Sequence, residues 1–536
     1  MTDVPPKSVE PRRGARRPWL LAVVAAPLLF TAYLSISRQL GVNSDGASNA
    51  LQAREMLEGN VLLGGWTVTD VSFYTNELLL FMLVELVYGF HGDTTHATAA
   101  LVFTLVVLLV AAAAKGRATG REAAARVAVA VAIVAVPPLG HAAITLLTSP
   151  DHTGTAIPLL ATWLVLERAR PARWLPFAIA VLLAWAQVAD PLVMYIGVLP
   201  LIVVSGWRAA RERSWRGLDA RLVLAAVGSV VLAQLALTLM RAAGGFGAHA
   251  AEAELADAAS LGRHLWLGVR VVAVNYGAYP PDRHGPADLL MSAVHVAGLL
   301  AAAAALVVVV ARAVRRGPGD CLPELVAVGI LVNLGAFVVS ALPVDLLSAR
   351  QVVAVLPLGA VLAGRVWGSR LLAVPAAVPL TVLALLAAEL VGHAAARGAP
   401  GHGEDIARWL DARGLRYGLG EYWNANNITL LTSGRVAVRP VVAADRVAAY
   451  RWESKVDWYD AAAHDATFLV LDTRGTGARA EAVALAQFGR PAERREFDGA
   501  VVLVYAKDLL VGLPAYCVPE TVPDIRDCPQ HGVALF

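Results

Sequence analysis

Charged side chains are scarce in this sequence of 536 residues: only 16% are Asp, Glu, Lys or Arg, whereas 57% are hydrophobic. Soluble domains usually carry about 25% charged residues, because their surfaces face water. The mean hydropathy of +0.59 therefore indicates that much of the chain contacts lipid. The formal net charge of +3 is too small to indicate a nucleic-acid partner.

Several catalytic signatures are also missing. The sequence has no GxxxxGK[ST] nucleotide loop, no HExxH zinc motif, no GxSxG nucleophile elbow and no CxxC pair. These absences argue against an ATP-driven pump and against the commoner hydrolases. Charged residues deep inside several apolar stretches, which a proton-relay transporter would need, are absent as well.

Cysteine is rare, with three residues in all. Cys321 falls in a predicted cytoplasmic loop. Cys517 and Cys528 lie close together in a C-terminal segment rich in Pro and Asp. In an oxidising compartment these two could form a small disulfide loop, and two unrelated thiols are the alternative.

Long apolar stretches dominate the first three quarters of the chain. A membrane-spanning helix needs about 20 mostly apolar residues, because the hydrocarbon core is about 30 Å thick, and about eleven stretches approach this length. The predicted spans are 19–38, 97–114, 127–147, 154–167, 174–188, 191–206, 221–242, 286–311, 324–342, 350–366 and 371–392.

The distribution of Arg and Lys predicts how these spans are oriented. Short loops rich in positive charge stay in the cytoplasm. The basic segments alternate with loops that carry little positive charge, and they are 7–17, 115–126, 168–173, 208–221, 312–316 and 365–370. We therefore predict a cytoplasmic N-terminus, a location in the plasma (inner) membrane and an extracytoplasmic C-terminus.

These patterns divide the chain into three predicted parts. Residues 1–18 form a cytoplasmic tail, 19–392 a transmembrane domain and 393–536 an extracytoplasmic α/β domain. The transmembrane domain carries two long outer loops, 41–96 and 243–285. Within the first loop, the short apolar stretch 77–90 is typical of a helix that lies along the membrane surface or re-enters the membrane.

The C-terminal part has the sequence pattern of a mixed α/β domain. Residues 403–414 have helical periodicity and end at a glycine, and short apolar runs typical of strands follow. The predicted strands are 416–420, 436–441, 467–472 and 500–506.

Asp45 is the first candidate for chemistry. It lies in VNSDGASNALQAREML (42–57), just beyond the outer end of the first span. A carboxylate at the boundary of membrane and water suits a general base or a metal ligand. The alternative is structural, because Ser44 or Asp45 could cap a helix that ends at Gly59.

Asp151 and His152 form a second candidate, in LTSPDHTGT (147–155) at the outer end of the third span. Together with Asp45 they are predicted ligands of a divalent metal ion. Here too a helix cap is the alternative, because Pro150-Asp151 resembles a helix start.

The predicted outer face carries few arginines, and these are candidates for binding a phosphate group. The guanidinium group suits phosphate oxygens because its donors form a rigid fork. Arg350, at the start of a late span, could instead place its charge at the membrane interface. The candidates are Arg54, Arg263, Arg270, Arg283 and Arg350.

The order of these features resembles the membrane-embedded GT-C glycosyltransferases, and within them the aminoarabinose-transferase and protein-mannosyltransferase type. NSDGASNALQAREMLEGN (43–60) is similar to the first-loop motif of that family, with Asp45 at the acidic position and Gly46 where Glu is usual. YTNELLLFMLVELVYGFHG (74–92) occupies the place of a second tract but lacks its Lys-Pro-Pro. SPDHTGTAIPLL (149–160), SARQVVAVLPLGAVLAG (348–364) and EYWNANNITLLTSGRVAVRP (421–440) also resemble family segments.

The resemblance implies an enzyme that transfers a sugar from a polyprenyl-phosphate donor to a glycan, lipid or protein acceptor on the outer face of the membrane. It implies that Asp45 is the base and that arginines such as Arg350, with a metal held by Asp45 or Asp151, stabilise the leaving phosphate. A transporter or flippase of lipid-linked saccharides and a non-catalytic membrane scaffold remain alternatives.

Overall fold

The computed structural model describes residues 18–148, 152–248, 254–279, 285–398, 401, 403–474 and 477–515. This part of the chain is mainly helical. A π-helix spans Met194–Val198 and a 3-10 helix spans Leu346–Val352. The α-helices are α1 Pro18–Ser37, α2 Ser44–Leu57, α3 Glu77–Tyr88, α4 Asp93–Lys115, α5 Gly120–Val134, α6 His141–Leu147, α7 Ala156–Arg168, α8 Leu175–Ala189, α9 Leu199–Arg211, α10 Leu218–Ala242, α11 Leu261–Asn275, α12 Pro286–Arg316, α13 Cys321–Val339, α14 Val355–Leu371, α15 Ala377–Ala395, α16 Glu404–Ala412, α17 Asn426–Leu431 and α18 Gly477–Phe488.

The apolar helices make this a multi-pass membrane protein. In the described residues, five helices (α4, α10, α12, α13 and α15) are long and apolar enough to cross a bilayer. A sixth span results if the 3-10 helix and α14, which meet at a bend of 57°, count as one. Residues 22–37 and helix α8 are apolar but shorter. The predicted number of about eleven spans stays a prediction.

One predicted span was wrong in detail. The stretch 127–147 is two helices, α5 and α6, because Pro137 and Pro138 fall in the break between them. The predicted outer loop 243–285 contains the helix α11. The predicted helix in the stretch 77–90 is present as α3, and its position relative to the membrane surface stays a prediction.

The arginine-rich connections meet at one end of the bundle. Arg117 donates a hydrogen bond to the carbonyl of Glu167, and Arg365 binds Glu167 at 2.7 Å and Asp320 at 3.0 Å. Arg208 likewise binds a carboxylate, that of Glu324, at 3.0 Å. The connections after α4, α7, α9 and α12 therefore share one end, which we call the basic end.

The C-terminal unit (403–515) lies at the other end, and it confirms the predicted helix and four predicted strands. Its six-stranded sheet has the order β5-β4-β3-β7-β9-β8. The central strand β3 is parallel to both neighbours, and the remaining pairs are antiparallel. The strands are β3 Tyr417–Glu421, β4 Ala437–Ala443, β5 Val447–Ala449, β7 Phe468–Asp472, β8 Glu493–Phe497 and β9 Ala500–Val504.

A second, small sheet joins the C-terminal unit to both long loops of the bundle. Strand β1 (Trp66–Val68) runs parallel to β2 (Gly247–Ala248) and antiparallel to β6 (Ser454–Lys455). The first loop, the second loop and the C-terminal unit thus share one set of backbone hydrogen bonds. This sheet covers the end of the bundle where α2 lies.

Candidate active site

Helix α2 carries Asp45 in its first turn, but Asp45 is not its cap. Asn43, in an extended conformation, is the N-cap, and its side chain accepts a hydrogen bond from the amide of Gly46 at 2.9 Å. The prediction that Ser44 or Asp45 caps the helix was therefore wrong. Asn43 thus caps the helix in place of Asp45, and the helix dipole favours the negative charge of the Asp45 carboxylate.

A buried polar face continues from Asp45 along α2. Ser48, Asn49 and Gln52 follow Asp45 at spacings of three, four and seven residues, which places them on the same side of the helix. All three are at most 1% exposed. Asn49 Oδ1 and both polar atoms of the Gln52 side chain have no hydrogen-bond partner among the described residues. Buried polar atoms are nearly always paired, so this face is suited to bind water or a polar ligand.

The C-terminal unit closes over the start of this face. The hydroxyl of Tyr422 donates to Asp45 Oδ1, and the Ser44 hydroxyl donates to the Tyr422 carbonyl. Asn426 Nδ2 donates to Ser48 Oγ at 2.6 Å. Burial, and then the charge of Asp45, raise the pKa of Tyr422 well above its ordinary value, so this hydroxyl keeps its proton and acts as a donor.

His152 is buried beside a second carboxylate that the sequence only hinted at. Its Nδ1 lies 2.8 Å from Asp190 Oδ2. Asp190, which is 0% exposed, also accepts hydrogen bonds from the Thr155 hydroxyl and, at 2.8 Å, from the amide of Leu192. These contacts assign the Nδ1 proton to the hydrogen bond with Asp190 and fix the imidazole ring.

Thr148 and Gly154, which lie on either side of residues 149–151 between α6 and α7, approach the first turns of α2 and α3. An ideal Cβ placed on Gly46 would be 3.5 Å from the carbonyl oxygen of Thr148, and one placed on Gly154 would be 2.2 Å from Glu77 Oε1. A Cβ at Gly154 would overlap the Glu77 carboxylate, so this position favours glycine, whereas the distance between Gly46 and the Thr148 carbonyl is that of an ordinary contact. Asp151, between Thr148 and Gly154 in sequence, lies outside the described residues.

The described residues alone do not make up a metal site. They contain no group of three or more His, Cys, Asp or Glu side chains that could hold a metal ion. The pairing of His152 with Asp190 is an arrangement that metal-binding histidines commonly use, but a third ligand is missing from this part of the chain. The predicted metal ligands Asp45, Asp151 and His152 therefore stay a prediction.

Arg350 lies on the 3-10 helix that precedes α14, and its side chain is exposed. Asp345 caps this short helix by accepting from the amides of Leu347 and Ser348. The helix packs against α6, so the Arg350 segment and the turn that contains Asp45 both adjoin the helix–loop segment 141–148.

Of the other predicted phosphate ligands, Arg283 lies outside the described residues. Arg54 is nine residues further along α2 and so projects from the opposite face, where it pairs with Glu58 at 2.6 Å. Arg263 is exposed on α11. Arg270, on the same helix, donates to the hydroxyl of Tyr279 at 2.9 Å.

A cavity of about 610 Å³ lies at the basic end, far from these residues in the fold. Its lining includes Arg117, Arg126, Arg208 and Arg365, and none of the predicted site residues. Each of these arginines binds a carboxylate or carbonyl oxygen of the chain, so the cavity carries balanced charge.

Sequence reasoning missed Tyr422, and for Asp190 it indicated only a position near an outer membrane boundary. Tyr422 lies in the segment 421–440 that resembles family outer domains, but nothing in that resemblance singles out one aromatic residue. Asp190 follows a predicted span end. This placed it near the membrane surface but did not identify His152 as its partner. Only the fold brings these residues to Asp45 and His152.

Comparison with known proteins yields matches in structure alone. No protein-family model matches the sequence, and no curated protein matches it. The apo structure of ArnT from Cupriavidus metallidurans is 15% identical and matches with a TM-score of 0.56, covering 91% of this chain and 98% of that one. The structure of ArnT bound to undecaprenyl phosphate matches with a TM-score of 0.51 at the same identity and coverage.

The oligosaccharyltransferase from Archaeoglobus fulgidus, solved with Zn and sulfate, is 12% identical and has a TM-score of 0.48, covering 87% of this chain and 69% of that one. The likeness to ArnT extends over nearly the full length of both chains. The chain has the fold of the membrane-embedded GT-C glycosyltransferases.

Proposed function

We propose that this protein transfers a sugar from a polyprenyl-phosphate donor to an acceptor hydroxyl on the outer face of the inner membrane. The acceptor is a glycan, a lipid or a protein. The observation that carries the proposal is the carboxylate of Asp45, at the start of a buried polar helix face between the bundle and the C-terminal unit. ArnT, which has this fold, was solved with undecaprenyl phosphate bound.

The proposed membrane orientation follows from the basic end. Clustered arginines in short connections favour the cytoplasmic side, and the C-terminal unit lies at the opposite end of the bundle. The domain boundaries predicted from sequence, 19–392 for the membrane domain and 393–536 for the extracytoplasmic domain, are part of this proposal. Asp45 would then face the compartment in which a translocated lipid-linked sugar is presented.

Asp45 would act as the general base. Its carboxylate accepts the proton of the acceptor hydroxyl while the hydroxyl oxygen forms a bond to the anomeric carbon of the sugar. The bond between that carbon and the phosphate oxygen breaks, and the electron pair leaves with the polyprenyl phosphate. A charged phosphate needs cationic donors at the membrane surface as it departs. Arg350 is exposed and could supply them.

No step of this mechanism is assigned to a metal ion. The prediction that Asp45, Asp151 and His152 hold a divalent cation is tested by chelation. If the metal contributes to transfer, EDTA removes activity and a divalent cation restores it. If EDTA leaves the rate unchanged, the metal prediction is wrong and the Asp45 mechanism stands alone.

The decisive experiment compares sugar transfer by wild type and Asp45→Asn in membranes, with radiolabelled polyprenyl-phosphate sugars as donors. Loss of the base is expected to lower the rate at least 100-fold, within the range that general-base catalysis contributes. Glu58→Gln is the matched control, because Glu58 is an exposed carboxylate at the C-cap of the same helix. Equal rates for wild type and Asp45→Asn would remove Asp45 from the mechanism.

Wild type without transfer from any of the donors would contradict the proposal as a whole. Lipid translocation assays would then decide between the two alternatives. Movement of a lipid-linked saccharide across vesicles that contain the protein would favour a flippase. No movement would favour a scaffold that presents the C-terminal unit.

A further inference from the structure

The C-terminal unit contacts the catalytic candidate directly through one side chain. Tyr422 begins a short 3-10 turn immediately after strand β3, is 3% exposed and donates its hydroxyl proton to Asp45 Oδ1. The two residues are 377 positions apart in sequence. Asp45, near the start of the membrane domain, is thus contacted by a residue of the C-terminal unit.

We propose that Tyr422 is a positioning residue for Asp45, a hydroxyl that the C-terminal unit supplies to orient the carboxylate. This inference rests on the proposed function, because it assigns a role to the residue next to the proposed base. It also means that the C-terminal unit contributes a residue to the active site and takes part in sugar transfer.

The surroundings of Tyr422 hold its hydroxyl in place. Its backbone carbonyl accepts a hydrogen bond from the Ser44 hydroxyl, one residue before Asp45. Its ring packs edge-on against Trp423, at 5.0 Å between ring centroids, and against Tyr450, at 6.1 Å. The ring therefore has little freedom to turn away from Asp45.

A second contact keeps the two elements in register. Asn426 Nδ2 donates both to Ser48 Oγ at 2.6 Å and to the carbonyl of Glu453 at 3.1 Å. Ser48 is one helical turn beyond Asp45 on the same face of α2. The segment 422–426 is thus fixed to α2 at two successive turns, and the hydrogen bond to Asp45 is one of a set.

The bond has a geometric consequence for a base. It occupies Oδ1 and so fixes the plane of the carboxylate, which determines where Oδ2 points. A base that is held in one orientation accepts the proton of an acceptor hydroxyl without first having to turn.

The test is the effect of Tyr422→Phe, which removes only the hydroxyl, on kcat and on the donor KM. We expect kcat to fall about 10- to 100-fold with little change in donor KM. In an Asp45→Asn background the same substitution should lower the residual kcat little further, because Tyr422 acts through Asp45. A merely structural role would lower kcat by the same factor in both backgrounds.

Tyr459→Phe is the matched control. Tyr459 is a buried tyrosine of the same unit, and its hydroxyl donates to the carbonyl of Pro440 at 2.6 Å instead of to Asp45. We expect its kcat and donor KM to match those of wild type. An active wild type with kcat unchanged in Tyr422→Phe, or with fully additive effects of Tyr422→Phe and Asp45→Asn, would overturn this inference and leave the proposed function intact. A wild type without transfer activity would overturn both.

Discussion

Lys455 Nζ lies 3.0 Å from Glu55 Oε2, and this ion pair ties strand β6 of the C-terminal unit to the last turns of α2. The first turns of the same helix are held by Tyr422 and Asn426. The helix that carries Asp45 is therefore held by the C-terminal unit at both ends. A rigid support of this kind suits a catalytic group, because small displacements of a reacting atom cost much of the rate.

The first prediction concerns the strength of this ion pair. Lys455 and Glu55 have side chains that are 20% and 24% exposed, so water screens the pair only in part. A double-mutant cycle of Lys455→Met and Glu55→Gln should give a coupling energy of about 1 kcal/mol in unfolding of the detergent-solubilised protein.

The control cycle uses Arg479 and Asp445, a pair with 69% and 92% exposed side chains. Its coupling should be close to zero, because exposed ion pairs contribute little. Equal coupling energies in the two cycles would contradict the view that Lys455 and Glu55 hold α2 in place.

Elements with strong periodic signals could be predicted from the sequence. Helix α16 and strands β3, β4, β7 and β9 fall where helical or strand patterns are clear, and so do most apolar helices. The strands of the small sheet have only two or three residues each, which is too short for a periodic signal. They exist because distant segments supply their hydrogen-bond partners.

The candidate site could be predicted only in part, because some of its features are local in sequence and others depend on tertiary contacts. Asp45 stands out because a carboxylate follows the first span, and its place on α2 is a local property. Its partner Tyr422 is fixed by the packing of the C-terminal unit, which the sequence does not specify locally. The N-cap was misassigned because Asn43, Ser44 and Asp45 are all good capping residues, and only the backbone geometry distinguishes them.

Asp190 is predicted to determine the orientation of His152. In Asp190→Asn an amide group would replace one carboxylate oxygen and oppose the donors of His152 and Thr155. Leaving buried donors without an acceptor costs about 1–3 kcal/mol each, so the free energy of unfolding should fall by about 2–3 kcal/mol. Thermal unfolding in detergent measures the effect.

Asp345→Asn is the control for that substitution. Asp345 is an exposed N-cap, and Asn caps helices about as well as Asp, so its effect should stay within about 0.5 kcal/mol. If Asp190→Asn is as mild as Asp345→Asn, the buried hydrogen bonds of Asp190 do not stabilise this part of the fold.

The segment that bears Arg350 is predicted to depend on two buried amides. Asn275 Nδ2 donates to the carbonyl of Ala349 at 3.0 Å, and Asn333 Nδ2 donates to that of Gln351 at 3.1 Å. Both carbonyls adjoin Arg350 in sequence. If Arg350 binds the donor phosphate, Asn275→Ala should raise the donor KM about tenfold by loosening this segment.

The same substitution in an Arg350→Ala background separates positioning from general damage. With the guanidinium group gone, loosening its backbone should raise the donor KM little further, so the two effects should be far from additive. Fully additive effects would mean that Asn275 acts on transfer by a route that does not involve Arg350.

Glu421, next to Tyr422, is predicted to make stability depend on pH. Burial raises the pKa of its carboxyl to about 7, whereas in the unfolded chain it would titrate near ~4.3. Between these values the folded protein keeps the proton and the unfolded chain releases it. The free energy of unfolding therefore falls as pH rises through this window, and the full loss is present above about pH 7.

Glu421→Gln should remove this dependence. The Gln side chain keeps an acceptor for the amide of Asp472, which lies 2.6 Å from the carboxylate in wild type, but carries no charge. The variant should be more stable than wild type at pH 8, by less than about 3 kcal/mol because the group is partly exposed, and equal to it near pH 4. Asp498→Asn, at an exposed carboxylate of the same unit, should show no such difference. A constant difference between Glu421→Gln and wild type at all pH values would mean that the gain comes from packing and not from removal of a buried charge.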